Sequence, residues 1–138
     1  DGRVINQKVD EYVSNNPDKA KVFTSLGQLR YLSALKHVDV VIGNSSSGLI
    51  EVPSFQKATI NIGDRQKGRM MPASVINCNP NRNDIFESIE LATSSNYTEK
   101  LNSVQNPYDN GMSSSKILNV FKTINLEGIL KKRFYDIE

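Results

Sequence analysis

The sequence contains few of the residues that form covalent or metal-stabilised folds. Among 138 residues there is one cysteine, Cys78, one histidine, His37, and no tryptophan. A single cysteine excludes an internal disulfide and agrees with the reducing cytoplasm. One cysteine and one histidine are also too few for a structural zinc site. We therefore expect a cytoplasmic protein without a metal.

Strong charge and long apolar runs are also lacking. The net charge is only +2, and acidic and basic residues are interleaved except at 131–133, a basic triplet typical of a solvated helix end. Nucleic-acid binding needs clustered Lys and Arg, so no nucleic-acid partner is expected. No apolar run approaches the roughly 20 residues that cross a bilayer, so no membrane segment is predicted.

The length fits one domain with a sizeable core. The chain begins at Asp1, without Met, directly before a helical pattern. We interpret this start as that of a fragment from a longer protein.

Apolar spacing along the chain predicts strands that alternate with helices. Helices are predicted at 2–16, 27–38, 48–55, 81–95, 113–124 and 126–134, and strands at 21–26, 38–42, 58–63 and 73–78. The run 38–42 is apolar and β-branched, which is typical of a strand buried on both faces. Such alternation favours βαβ units with right-handed crossovers. The predicted fold class is α/β, a three-layer Rossmann-like domain with a mostly parallel sheet.

A serine-rich loop, "GNSSSG", separates strand 38–42 from the next helix. Ser45 and Ser46 are small, so the backbone can approach a ligand, and a helix start supplies free N–H groups for a phosphate or diphosphate. Glu51, about one turn into the helix, is suited to ribose hydroxyls. The alternative is that the serines cap the helix and Glu51 pairs with its dipole. This motif alone leaves both interpretations open.

A second polar loop, "GDRQKGR", follows the next strand and carries Arg65, Lys67 and Arg69. A bidentate arginine suits a diphosphate, whereas a solvated charged loop is the simpler interpretation of this loop alone. Ligands of open parallel sheets bind beyond the carboxyl ends of the strands. Two complementary loops at neighbouring strand ends therefore favour a ligand site.

Four other residues are weaker candidates for a site. His37 is interpreted as a helix C-terminal residue and Cys78 as a small buried hydrophobe. Tyr31 has the helical spacing of a core residue, although it could also stack on a base. Tyr108 lies in "NPYDNG", which has the composition of a turn.

These segments resemble a known family. "SLGQLRYLSALKHVDVVIGNSSSGLIEVPSF", "TINIGDRQKGR", "ASVINC" and "NPYDNGMSSSKIL" are similar to the C-terminal half of the hydrolysing UDP-N-acetylglucosamine 2-epimerases, particularly the sialic-acid-type branch. The resemblance runs from about Gly2 to Phe134 and is most specific over 43–69. It implies the C-terminal half of a GT-B-type fold, in which two Rossmann-like domains face a cleft. Residues 1–138 would form the UDP-binding domain, without the N-terminal domain.

The resemblance also implies roles for individual residues. The family's phosphate-binding serines fall on Ser45 and Ser46, its ribose-binding glutamate on Glu51, and its diphosphate-contacting arginine on Arg65. The uracil pocket would be lined by the segment around Ser25, Leu26 and Tyr31.

The implied reaction begins with anti elimination of UDP to give a 2-acetamidoglucal. Water then adds, which inverts C2 and releases N-acetylmannosamine, without a cofactor. The family's acid and base groups lie mostly outside this segment, and His37 does not match its key histidine, so the catalytic residues are not assigned and this chain alone is expected to be inactive. The whole protein is expected to be a homo-oligomer, and helices within 113–134 are expected to pack on the absent domain.

Three alternatives remain open at this point. One is the same chemistry on a UDP-2,4-diacetamido-trideoxyhexose, because the sugar would face the absent domain. The others are the nucleotide-binding half of a GT-B glycosyltransferase and a non-catalytic module.

Overall fold

The computed structural model describes residues 2–109 and 111–131, which form short helices around a small sheet. The elements are α1 (Gly2–Asn15), α2 (Gly27–Leu35), β1 (Val40–Gly43), α3 (Ser47–Ile50), a 3₁₀ helix (Val52–Phe55), β2 (Ala58–Ile62), β3 (Val75–Cys78), α4 (Arg82–Thr93), α5 (Ser95–Leu101) and α6 (Ser113–Thr123). Among these described residues, no helix has the length and apolar character to cross a membrane.

The described sheet has three strands in the order β1-β2-β3, and both pairings are parallel. Gly43 pairs with Asn61, and Asn61 pairs with Asn77, so the strands end together at one edge. The predicted α/β class with a parallel Rossmann-like sheet is confirmed. Loops that leave this edge are therefore neighbours in space.

Helical elements cover both faces of the central strand β2. Ala58 and Ile60 pack in a core with Ala92 of α4 and Leu101 of α5. Thr59 points to the opposite face, because side chains alternate along a strand, and its hydroxyl donates a hydrogen bond to the carbonyl oxygen of Gly48 in α3 at 2.9 Å. β2 is consequently buried on both sides and holds the neighbouring loops in place.

The prediction of a strand at 21–26 is wrong. These residues have no strand pairing, and Val22 and Phe23 are exposed. An extended segment becomes a strand only when a neighbour accepts its backbone hydrogen bonds.

The prediction that 38–42 is buried on both faces is also wrong. β1 lies at the edge of the described sheet, and Ile42 is 48% exposed.

Two predicted helices are divided in the structure. The helix at 48–55 becomes α3 followed by the 3₁₀ helix, because Pro53 lacks the N–H that a continuous α-helix needs. The helix at 81–95 ends at Thr93, and α5 was not predicted. Ser94 separates α4 from α5 with an extended backbone, and its hydroxyl accepts a hydrogen bond from the N–H of Tyr97 at 3.4 Å.

At the C-terminal end, α6 agrees with the prediction, whereas the helix at 126–134 does not form over the described residues. Residues 127–130 form turns, and Gly128 has a φ of +74°, a left-handed conformation that interrupts a helix. Residues 132–134 of that prediction lie outside the described residues.

Candidate functional site

The structure brings together the two loops that the sequence singled out. We call residues 44–47 the serine loop and residues 63–69 the arginine loop. Gln66 Nε2 donates to the carbonyl oxygen of Asn44 at 2.7 Å, and Arg65 Nη1 lies 3.4 Å from both that oxygen and Asn44 Oδ1. The predicted proximity of the loops is thus present, and the carbonyl group of Asn44 receives donors from Arg65 and Gln66.

The serine loop is a tight turn that leads into α3. Ser45 accepts two hydrogen bonds, from the N–H of Ser47 to its hydroxyl at 3.3 Å and from the N–H of Gly48 to its carbonyl at 3.2 Å. Ser46 is the N-cap residue of α3, without a side-chain cap bond. The interpretation of the serines as helix caps therefore holds in part: Ser45 binds backbone N–H groups at the start of α3, whereas the Ser46 side chain does not cap it. α3 has only four residues, so its dipole contributes little to anion binding.

Gly48 permits α3 to lie directly on the sheet. A Cβ atom at this position would lie 2.5 Å from Thr59 Cγ2, which is closer than two carbon atoms can approach. The hydrogen bond from the Thr59 hydroxyl to the Gly48 carbonyl holds the two elements at this distance. The glycine in the motif is therefore explained by packing beneath the loop, and it needs no ligand.

Tyr31 lies beside the serine loop, where its hydroxyl and the Ser47 hydroxyl share a short hydrogen bond. Both side chains are half-buried. Leu26, also half-buried, is the N-cap residue of α2, one turn before Tyr31. The structure thus ties Tyr31 to the serine loop by a side-chain bond, while Leu26 is placed near it only through α2.

Glu51 lies at the end of α3 with an exposed side chain. Its backbone N–H donates to the carbonyl of Ser47 at 3.0 Å, and its carbonyl accepts from the N–H of Ser54 at 3.1 Å. Within residues 2–109 and 111–131, no hydrogen bond or ion pair involves its carboxylate. The backbone of Glu51 is therefore fixed while its charge faces solvent.

The turn 106–109 supports the segments that follow the two loops, a role that the sequence did not reveal. Asn106 Nδ2 donates to the carbonyl of Ile50 at 2.8 Å and to the Ser54 hydroxyl at 2.7 Å. The Tyr108 hydroxyl donates to the carbonyl of Met70, just after the arginine loop, at 2.9 Å. The composition indicated a turn, but its distant partners are set by tertiary structure.

An open cavity of about 670 Å³ lies at the carboxyl ends of β2 and β3, beside the start of the arginine loop. Its lining includes Asp64, Asp84 and Glu87, and none of the predicted ligand residues. Hydrogen bonds, chiefly from the Asn79 side chain, hold the pKa of Asp84 below its ordinary value, so this carboxylate is ionised at neutral pH. Such an acidic lining is unfavourable for a diphosphate.

The remaining candidates have structural roles or lie in solvent. His37 follows α2, and its N–H donates to the carbonyl of Ala34, as expected for a helix C-terminal residue. Cys78 packs half-buried against the core rather than fully buried. Lys67 and Arg69 are exposed on the arginine loop. Within the described ranges, no group of three or more His, Cys, Asp or Glu side chains could hold a metal.

Comparison with known proteins decides the family. The family model described as UDP-N-acetylglucosamine 2-epimerase matches residues 2–122. This chain belongs to that family. Both loops and the turn 106–109 lie within the matched part.

Three relatives illustrate how similar this chain is to known proteins. The chain is 41% identical over 137 residues to a GDP/UDP-N,N'-diacetylbacillosamine 2-epimerase (hydrolyzing) of Campylobacter jejuni, covering 99% of this chain and 35% of that protein. It is 38% identical over 135 residues to the polysialic acid biosynthesis protein P7 of Escherichia coli, covering 97% of this chain and 34% of that protein. It is 30% identical over 132 residues to a UDP-N,N'-diacetylbacillosamine 2-epimerase (hydrolyzing) of Legionella pneumophila, covering 95% of this chain and 33% of that protein. The chain spans about a third of the length of these relatives.

Proposed function

We propose that this chain is the UDP-binding half of a hydrolysing UDP-sugar 2-epimerase. The observation that carries the proposal is the contact between Arg65 and Asn44 of the serine loop. It lies at the ends of two adjacent parallel strands, in a chain that belongs to this family. A cation beside a turn of small hydroxyl residues suits a diphosphate. The second half of the cleft, with the acid and base groups, would come from an N-terminal domain.

Each predicted residue has a distinct role in this proposal. Ser45 and Ser46 donate to the diphosphate, and Arg65 contributes charge-assisted hydrogen bonds. The two distances of 3.4 Å between Arg65 Nη1 and Asn44 are long for hydrogen bonds, so the guanidinium can turn to a ligand at little cost. Glu51 accepts hydrogen bonds from ribose hydroxyls, and Leu26 and Tyr31 border the uracil.

The proposed reaction removes the proton from C2 of the sugar and breaks the bond from C1 to the diphosphate oxygen. The electron pair left at C2 forms the C1–C2 double bond of a glucal, and UDP leaves with the bonding pair. Water then adds its hydroxyl to C1 and a proton to C2 on the opposite face. The half described above holds the leaving group, so we expect no turnover from this chain alone.

Two sugars are candidates for the substrate. The family description names UDP-N-acetylglucosamine, which would give N-acetylmannosamine for sialic acid synthesis. Two relatives are named for N,N'-diacetylbacillosamine, a 2,4-diacetamido-trideoxyhexose. Both carry the acetamido group at C2 that the chemistry requires. In either case we expect a cytoplasmic enzyme, in agreement with the single cysteine.

Calorimetric titration with UDP and UMP tests the diphosphate site. We expect the chain to bind UDP weakly, because half the cleft is absent. Arg65→Ala should lower the affinity for UDP about tenfold, the value of one or two charge-assisted hydrogen bonds, and should lower that for UMP less. Arg82→Ala, which removes an exposed arginine at the start of α4, is the matched control.

The ribose role of Glu51 is tested in the same titration with Glu51→Gln and 2'-deoxy-UDP. The variant should lose about tenfold in affinity for UDP and less for the deoxy ligand, because one of the accepted hydroxyls is already absent. Glu90→Gln, on an exposed position of α4, controls for loss of charge. Absence of UDP binding at millimolar ligand, or equal losses for UDP and UMP in Arg65→Ala, would contradict the proposal.

A further inference from the structure

Gln66 differs from the other polar residues of the arginine loop because it is buried. It is only 2% exposed, whereas Asp64, Arg65, Lys67 and Arg69 are exposed. Burial of a primary amide is unfavourable unless its polar atoms are hydrogen-bonded. A glutamine in the interior of an otherwise solvated loop therefore indicates a specific task for its side chain.

The contact of Gln66 joins the two loops of the site. Its Nε2 donates to the carbonyl oxygen of Asn44 at 2.7 Å, shorter than the 3.4 Å between Arg65 Nη1 and the same oxygen. Rotation of the amide by half a turn would place Oε1 against that carbonyl, so the orientation is determined by the partner. Oε1 itself is buried and has no partner within the described residues.

We propose that Gln66 is a positioning residue for the diphosphate, an inference that rests on the proposed function. Its amide satisfies the carbonyl of Asn44 and thereby fixes the peptide group directly before Ser45. Arg65 is then not needed as the donor to that carbonyl and can turn to the ligand. Without Gln66, diphosphate binding would have to break the remaining bond from Arg65 to Asn44 and leave a carbonyl without a donor.

The substitution Gln66→Glu separates this role from simple packing, because it keeps the shape and changes only the donor. An ionised carboxylate cannot donate to the Asn44 carbonyl and is repelled by it, whereas a protonated carboxylic acid can donate through its O–H. The charged groups around it are Asp64, Arg65, Lys67 and Arg69 of its own loop. The serine loop contributes none, and the titratable Tyr108 reaches Met70, just after this loop, through its hydroxyl.

The probe is UDP-N-acetylglucosamine, whose diphosphate diester does not titrate between about pH 5 and pH 8. At about pH 8, Gln66→Glu should bind it about tenfold more weakly than the unsubstituted chain does. At about pH 5 the variant should recover to within about threefold, since burial favours the neutral acid. Binding by the unsubstituted chain should change little, and Gln7→Glu on the exposed face of α1 is the matched control.

Gln66→Met provides a second variant that keeps the volume, lacks the donor and cannot ionise. It should bind the probe about tenfold more weakly at both pH values, with no recovery in acid. Unchanged affinity in Gln66→Met, or equal losses at both pH values in Gln66→Glu, would overturn the role of Gln66. Failure of the unsubstituted chain to bind the probe would instead overturn the proposed function, so the two failures are distinguishable.

Discussion

Gly48 and Thr59 determine how closely α3 approaches the central strand. The buried hydrogen bond between the Thr59 hydroxyl and the Gly48 carbonyl and the absence of a side chain at 48 act together. Ser45 and Ser46 lie three and two residues before Gly48, so their position depends on this contact. At the scale of single residues, the loop owes its shape to packing beneath it as much as to the serines themselves.

Gly48→Ala should lower the free energy of unfolding by about 1–3 kcal/mol, the usual cost of overpacking a buried contact. The new methyl group would meet Cγ2 of Thr59, and Thr59 cannot move away because its backbone is held in the sheet. Thr59→Ser removes that methyl and keeps the hydroxyl, so the double variant should recover part of the loss. Denaturant unfolding of the four chains measures both effects, and an equal cost of Gly48→Ala in either background would exclude this contact as its cause.

At the scale of elements, side-chain caps mark the starts of α4 and α5, whereas α2, α3 and α6 begin without a side-chain cap bond. The Asn81 side chain accepts a hydrogen bond from the N–H of Asp84 at 2.9 Å and caps α4. Ser94 starts α5 in the same way. α5 was missed because residues 95–101 are mostly polar and have only Tyr97 and Leu101 as large apolar residues.

Asn81→Ala should destabilise the chain by about 1 kcal/mol, because it leaves the N–H of Asp84 without its partner. Asn81→Ser restores an acceptor and should regain most of the loss. Thermal unfolding monitored by circular dichroism compares the three proteins, and equal midpoints for Asn81→Ala and the parent chain would show that the cap is not stabilising.

For the whole molecule, the described residues leave two amphipathic helices without buried side chains. α1 exposes Val4, Ile5, Val9 and Tyr12, and α6 exposes Ile117, Leu118, Val120 and Phe121. In contrast, four of the five residues of β2 are buried. Because an amphipathic helix is stabilised mainly by burial of its apolar face, α1 and α6 have little tertiary support here.

Hydrogen exchange should reveal this difference directly. We expect amides of α1 and α6 to exchange about 100-fold faster than those of β2, since their opening needs only local unfolding. α4, with Ser88 and Ala92 buried, serves as the internal comparison and should lie between the two. If α1 or α6 were as protected as β2, the description of these helices as unsupported would be incorrect.

The predicted proximity of the two loops is present because it follows from the order of the strands alone. Arg65 and Asn44 meet because the parallel strands β1 and β2 end at one edge, as the predicted topology required. The contacts of Gln66, Asn106 and Tyr108 were not predicted, since their partners lie 22 to 56 residues away in the chain. Nothing in a local pattern indicates which distant carbonyl a buried amide will reach.

The sequence by itself determined the α/β class, the two polar loops and two strands, which were predicted at 58–63 and 73–78 and observed at 58–62 and 75–78. Alternation of apolar runs and short-range turn chemistry are local properties, which is why these features could be predicted. Only the tertiary structure decided that 21–26 remains unpaired, that β1 is an edge strand with Ile42 half exposed, and that Gln66 is buried. These outcomes depend on which surfaces meet. A strand needs a neighbour and a buried amide needs an acceptor, and both are supplied by residues far along the chain.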